Sequence, residues 1–138
     1  MLQPSYRKYR KAFKGRIGKG LHHSNLSFGT HGLRAIEGGR LTARQLEAAR
    51  RALRRNLDRE GHIWTCRFPD IPVSGKPSEV RRGKGKGAVA YWATRIRPGN
   101  ILFEVSGISD DVALKSLESA SKKLPRQCRV IYRNRPLN

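Results

Sequence analysis

The chain is 138 residues long and carries 30 Lys and Arg against 10 Asp and Glu, a formal charge of +20 with a sequence pI near 11.3. That self-repulsion opposes compactness, and a polyanion relieves it by releasing counterions as its phosphates are paired, so the charge points to a nucleic-acid partner, RNA first. Hydrophobic residues make up 37%, enough for one modest core; no apolar run is long enough to span a bilayer, and Cys66 and Cys128, each without a Cys or His at ligand spacing, read as small apolar side chains rather than zinc ligands.

No acid occurs before Glu37, while Arg7, Lys8, Arg10, Lys11, Lys14, Arg16 and Lys19 crowd the start, interleaved with Tyr6, Tyr9 and Phe13. Glycines and Pro4 break any helix there. The segment reads as an extension ordered by its partner and not before assembly, with aromatics that stack on bases or wedge into a groove. Residues 27–36 are weakly strand-like. Thr42 then offers an N-cap, Gln45 completes a capping box, and Leu41 and Leu46 occupy the staple positions. Leu46, Ala49, Leu53 and Leu57 follow at helical spacing up to Gly61, a natural terminator. Arg44, Arg51, Arg54 and Arg55 fall on the opposite side; Glu47 and Asp58 are spaced to pair with Arg51 and Arg54, and the remaining arginines form an RNA-facing surface.

Residues 62–68 read as a strand closed by Pro69, and residues 70–80, with Pro72, Gly75 and Pro77, as loop. The run Arg81-Arg82-Gly83-Lys84-Gly85-Lys86-Gly87 puts four cations on a glycine backbone that has nothing apolar to bury and can approach phosphates closely. Residues 88–97 alternate, with Ala88, Ala90, Trp92 and Ile96 on one face and Tyr91, Arg95 and Arg97 on the other. Beyond the Pro98-Gly99 turn, Ile101, Phe103 and Val105 continue as a strand. Ser109 caps a second helix with Asp110 and Asp111 at its positive end and Ala113, Leu117, Ala120 and Leu124 on its apolar face. Cys128, Val130 and Tyr132 form a last strand. The order predicts an α+β fold, mostly antiparallel sheet with two helices. It divides into a basic N-terminal extension (1–26), a single domain (27–133) holding the loop 70–87, and a C-terminal tail (134–138).

Chemistry finds little support. Gly75-Lys76 is followed by Pro77 and Gly83-Lys84 by Gly85, so neither makes a Walker phosphate loop. His22, His23 and His31 have too few neighbouring ligands for zinc, and the one adjacent acid pair, Asp110-Asp111, sits at a helix start where a nuclease would need clustered carboxylates. No enzyme, metal or cofactor is expected.

Several ordered motifs also match a known family. Met1-Leu2-Gln3-Pro4, Tyr9-Arg10-Lys11, Lys14-Gly15-Arg16, the run Gly39-Arg40-Leu41-Thr42-Ala43-Arg44-Gln45 into Glu47-Ala48-Ala49-Arg50-Arg51-Ala52, and then Ile63-Trp64, Phe68-Pro69-Asp70, Lys76-Pro77, Arg81 with Gly83 to Gly87, and Tyr91-Trp92 resemble bacterial-type large-subunit ribosomal protein sixteen, collinearly from Met1 to about Pro125. The resemblance implies an α+β sandwich with a hammerhead-like β motif that binds large-subunit rRNA, with tRNA and neighbouring ribosomal proteins as further partners and neither a membrane nor a small-molecule substrate. It also implies that the glycine-rich loop extends toward the peptidyl-transferase region and the tRNA at the aminoacyl site, with Arg81, Lys84 and Lys86 as tip cations. Arg82 stands where methionine is usual in the family and adds a fourth; Ser5-Tyr6, Phe13 and Ala90 depart as well. The rRNA-binding residues expected are Arg7, Lys8, Arg10, Lys11, Lys14, Arg16, Arg44, Arg51, Arg54 and Arg55. Met1 aligns with the family start, leaving no room for a cleaved import signal and so a bacterial protein or one made inside an organelle. Phe68-Pro69-Asp70-Ile71-Pro72-Val73-Ser74 and Ile101-Leu102-Phe103-Glu104-Val105 resemble alphaproteobacterial members and, with the departures above, favour a mitochondrion-encoded copy, with the bacterial cytoplasm second. Charge alone fits a free-standing nucleoid or RNA-chaperone protein equally well; the ordered motifs do not.

Overall fold

In the computed structural model, residues 2–22 and 24–133 are described, so His23 and the tail 134–138 lie outside the described residues. The elements run β1 (His31–Ala35), β2 (Gly39–Thr42), α1 (Ala43–Asn56), β3 (His62–Thr65), β4 (Ile71–Ser74), β5 (Val89–Ile96), β6 (Ile101–Ser106), α2 (Asp110–Ser121) and β7 (Cys128–Tyr132). They form the expected α+β fold: a four-stranded sheet in the order β3-β6-β1-β7 and a three-stranded sheet in the order β2-β5-β4, every pairing antiparallel.

The two helices pack on each other, and α2 lies against β1 and β7. Leu33, Leu46, Leu53, Phe103, Val105 and Leu117 fill the space between helices and sheet with no exposure to solvent. Burying side chains of that size stabilises the fold by about 1.5–3 kcal/mol each. His31, also buried, ties the layers together: its ring lies 3.2 Å from the Asp110 carboxylate at the start of α2 and 2.9 Å from the Thr30 hydroxyl.

The capping box of α1 forms as expected. The Gln45 N–H donates to Thr42 Oγ1 at 3.2 Å and the Thr42 N–H donates to Gln45 Oε1 at 2.9 Å. The helix ends earlier than Gly61, with Leu57 at the C-cap and Asp58 and Arg59 both at positive φ. Leu57 must stay in the core, so the chain turns away at once, through two residues that bear the left-handed strain. Ser109 sits at the N-cap of α2 but makes no side-chain cap bond.

Residues 70–80 were expected to be loop, yet Ile71–Ser74 is a strand pairing with β5 from Ile71 opposite Ala93 to Ser74 opposite Val89. Pro72 is tolerated because β4 is the edge of its sheet, where a missing N–H leaves no partner unsatisfied. The basic loop is therefore the tip of a long hairpin, closed at its base by the Gly75 N–H on the Ala88 carbonyl. β2 is a second strand that the sequence reading lacked, because four residues carry too little alternation to show. The strand expected over 62–68 stops at Thr65. Ala88 and Ala90, expected on the apolar face with Trp92 and Ile96, are exposed, since burial along β5 begins at Ala93 where the hairpin joins the body.

Candidate nucleic-acid interface

Three basic features expected from the sequence sit on this frame. Helix α1 turns Leu46, Ala49 and Leu53 into the core, which leaves Arg44, Arg51, Arg54 and Arg55 exposed. Glu47 gathers two cations, accepting from Arg50 at 2.8 Å and Arg51 at 3.1 Å. The bonds from Arg50, aided by those from Arg51 and opposed by partial burial, hold the Glu47 carboxyl down at about 2. The second expected pair, Asp58 with Arg54, does not form among the described residues, because Asp58 lies past the helix at a φ of 44°. Arg44, Arg54 and Arg55 have no ion-pair partner among the described residues.

The N-terminal extension has neither helix nor strand but follows a defined course. Leu2 lies in a groove with Arg44, Arg51, Arg55 and Lys123, so the chain starts beside the outer face of α1. The Arg7 guanidinium then covers the Trp92 ring at 5.6 Å and donates to the Asp70 carbonyl. Further on, the strap follows β5. Lys86 Nζ donates to the Ala12 carbonyl at 2.7 Å and Lys11 Nζ to the Lys86 carbonyl at 3.0 Å. Arg95 donates to the carbonyls of Phe13 and Lys14, Arg40 to those of Lys14 and Gly15. The His22 N–H reaches the Pro98 carbonyl at 2.7 Å. Cations of the sheet thus hold the strap by its backbone, which turns Lys8, Arg10, Lys14 and Arg16 outward. Tyr6 and Phe13 project into solvent, 84% and 90% exposed.

The strap enters the body at one acid. Glu104 on β6, 2% exposed, accepts from the backbone N–H of Phe28 and Gly29 at 2.7 Å each and of Ser27 at 3.2 Å. Burial alone would push its carboxyl up; the N–H groups of Gly29, Phe28 and Ser27 and the Cys66 thiol outweigh that and hold it below the ordinary value. The turn must come this close to β6, since a Cβ on Gly29 would stand 2.6 Å from the Val105 carbonyl oxygen.

In the hairpin tip, Arg81, Arg82 and Lys84 are exposed and make no hydrogen bond or ion pair among the described residues. Gly83 and Gly85 adopt φ of 80° and 82° with open space around them, so glycine is there for its backbone freedom and not for packing. Lys86 differs from its neighbours: its Nζ is engaged with the strap.

The sequence reading missed Arg40 and Arg95, which grip the strap, and Lys123, which joins the α1 groove. Arg95 was visible as an outward position of an alternating strand, but nothing local says that its partner is a backbone carbonyl more than 80 residues away. Among the described residues no group of His, Cys, Asp and Glu has the arrangement of a metal site. Burial pushes the Cys66 thiol up to about 12, with the neighbouring Glu104 charge adding to it, and the Cys128 thiol up to about 11.

A family model described as ribosomal protein L16p/L10e matches residues 4–131. The curated proteins similar to this chain include the large ribosomal subunit protein uL16 of Caulobacter vibrioides, 54% identical over 134 residues that cover 96% of this chain and 94% of the relative. Those of Erythrobacter litoralis and Paracoccus denitrificans are 54% and 52% identical, each again over 96% of this chain and over 93% and 98% of the relatives. With the match spanning both the strap and the hairpin tip, the chain belongs to the ribosomal protein L16p/L10e family of bacterial type, a structural and non-enzymatic family.

Proposed function

We propose that this protein is a structural constituent of the large ribosomal subunit that binds large-subunit rRNA through the strap and the outer face of α1, and that its hairpin tip steadies tRNA at the aminoacyl site. The observation that carries the reading is the continuity of the basic surface. The strap begins beside Arg44, Arg51 and Arg55, passes Trp92, meets Lys86 of the hairpin at Ala12 and runs on along β5, with Glu47 as the acid in the groove where it starts. Duplex RNA presents phosphates and 2′-hydroxyls rather than readable base edges, which suits an array of guanidinium and ammonium groups, and the exposed aromatic rings suit unstacked bases at loops and bulges. The rRNA contacts fall to Arg7, Lys8, Arg10, Lys11, Lys14, Arg16, Arg44, Arg51, Arg54 and Arg55, and the tRNA contacts to Arg81, Arg82 and Lys84. Lys86, bonded to Ala12, acts as the joint between tip and strap as well as a tip cation. In this assignment residues 1–26 are the extension, 27–133 the rRNA-binding domain and 134–138 a tail without an assigned role.

The family membership supports the ribosome as the site of action and rRNA and ribosomal proteins as partners. The named relatives are bacterial, which supports a bacterial-type ribosome in the cytoplasm over the mitochondrial origin expected from the sequence. No helix among the described residues is long and apolar enough to cross a membrane.

Sedimentation of native lysate tests the assignment. The chain is expected to co-migrate with the large subunit through a moderate salt wash, and salt-labile smearing over all RNA would overturn it. Lys84→Ala tests the tip alone: incorporation is retained and aminoacyl-site tRNA binding falls. Lys86→Ala additionally releases the strap, so lost incorporation in that variant speaks to the joint and not to tRNA.

A further inference from the structure

The outer face of the four-stranded sheet carries a second cationic patch that neither the strap, α1 nor the hairpin tip includes. Arg34 on β1 stands directly opposite Arg129 on β7, and Gly32 opposite Ile131. Alternation puts Arg133 on the same side as Arg129 and Ile131, and the Arg133 N–H extends the ladder to the Thr30 carbonyl at 2.8 Å. The opposite face of these strands is the one that meets α2: Leu33, Ala35, Val130 and Cys128 pack into the core and His31 reaches Asp110. Arg34, Arg129 and Arg133 therefore lie across the core from the helix layer.

Two guanidinium groups in register across a strand pair repel, with side chains rooted about 5 Å apart. No acid among the described residues relieves them. None of the three arginines makes an ion pair among the described residues, and Glu104, on the same outer face, has its carboxylate committed to the Ser27–Gly29 turn. The three arginines share a polar groove with Ser24 and Asn25, while Leu26, lying over Gly32, and Ile131 give it an apolar floor. Like charges face to face at an exposed groove destabilise the free protein slightly, and an anion between them reverses the sign of that interaction.

We propose that the groove bordered by Arg34, Arg129 and Arg133 is a second RNA-binding face that takes the phosphate backbone of an rRNA segment other than the one along α1, so that the protein bridges two segments across its core. This rests on the rRNA-binding reading above. The spacing fits a chain of phosphates: Arg129 on β7 and Arg133 just past its end are four residues apart, about 13 Å if the extended course continues, with Arg34 beside the first.

The test compares two full-length triple variants, R34Q/R129Q/R133Q and R44Q/R54Q/R55Q, in salt titrations of binding to purified bacterial large-subunit rRNA, with the single variant R129Q as a milder form. Each phosphate contact removed lowers the slope of log affinity against log salt by about 0.7–0.9. The outer-face triple variant is expected to lose about two units of slope while its thermal midpoint stays level or rises, because a repulsive pair has gone. The α1 variant is expected to lose slope independently, and the two losses to add. An unchanged slope in the outer-face variants with a lowered slope in the α1 variant overturns this proposal alone. Unchanged slopes in both sets overturn the RNA-binding reading itself. Crosslinks from the Arg129–Arg133 segment in native subunits are expected on rRNA, at positions apart from those of α1; crosslinks to acidic residues of a neighbouring protein instead would overturn the RNA assignment of this face.

Discussion

Replacing Glu104 with glutamine removes a charge while keeping shape, at the point where strap and body meet. One carboxylate oxygen receives the N–H groups of Phe28 and Gly29 at 2.7 Å each, and the other receives that of Ser27 at 3.2 Å. A glutamine oxygen can keep the first pair as neutral bonds, but its amide then points two hydrogens at the Ser27 N–H. A bond to a charged acceptor contributes about 1.5–3 kcal/mol against about 1 for a neutral one, and an unpaired buried donor costs about 1–3. Two weakened bonds and one unpaired donor give a destabilisation of about 2–7 kcal/mol, a large share of the roughly 5–15 kcal/mol that holds a domain folded. Urea denaturation of the free chain measures it, and Trp64 is the local reporter because Phe28 of the same turn stacks on it at 6.0 Å. The pH dependence supplies a second check. Since the folded carboxyl is held below its ordinary value of 4.5, its contribution is complete above pH 4.5 and is lost as pH falls toward the folded value. The gap between wild type and Glu104→Gln is therefore full at pH 7 and narrows below 4.5. A loss under about 1 kcal/mol at pH 7, or a gap that holds constant into acid, would refute the charged anchor.

Glu47→Gln is expected to raise affinity for rRNA at low salt by freeing Arg50 and Arg51, and to cost at most about 1 kcal/mol of stability because the ion pairs are solvent-screened; filter binding and thermal melting read both, and weaker binding would contradict it. Gly29→Ala forces a methyl to within 2.6 Å of backbone that cannot move aside, with an expected loss of about 2–3 kcal/mol by urea titration, whereas a neutral result would mean the turn can lift from β6. Cys66 and Cys128, pushed up to about 12 and about 11, are expected to resist iodoacetamide at pH 8 in the folded chain and to react once it is unfolded; mass spectrometry of rapid native labelling would show otherwise. Amide exchange of the free chain in low salt is expected to leave residues 7–18 unprotected and residues 101–105 protected, and strong protection of the strap without RNA would show that it is ordered before assembly.

What was legible in the sequence was local. The capping box at Thr42 and Gln45, the Leu46-Ala49-Leu53 stripe and the acids opening α2 are decided within a few residues, and all appear where the pattern puts them. β4 was not legible, since Pro72 and Gly75 break a central strand but not an edge strand, and only the sheet order reveals which it is. The roles of individual cations were hidden for the same reason. Composition says that Lys84, Lys86 and Arg95 are positive; it does not say that Lys86 and Arg95 reach carbonyls 74 and more residues earlier while Lys84 makes no bond among the described residues. The geometry also bears on the net charge of +20. Arg40, Lys86 and Arg95 grip carbonyls in a segment that itself carries Lys11, Lys14 and Arg16, so strap and platform repel as they bond. Exposed hydrogen bonds of this kind are worth about 1 kcal/mol each, and like charges within the Debye length of about 8–10 Å offset them. Phosphates laid along the strap reverse the sign of that repulsion without altering one bond. On the proposed rRNA-binding role, folding of the strap and binding of RNA would be a single event, with the counter-charge of a +20 chain lying outside it.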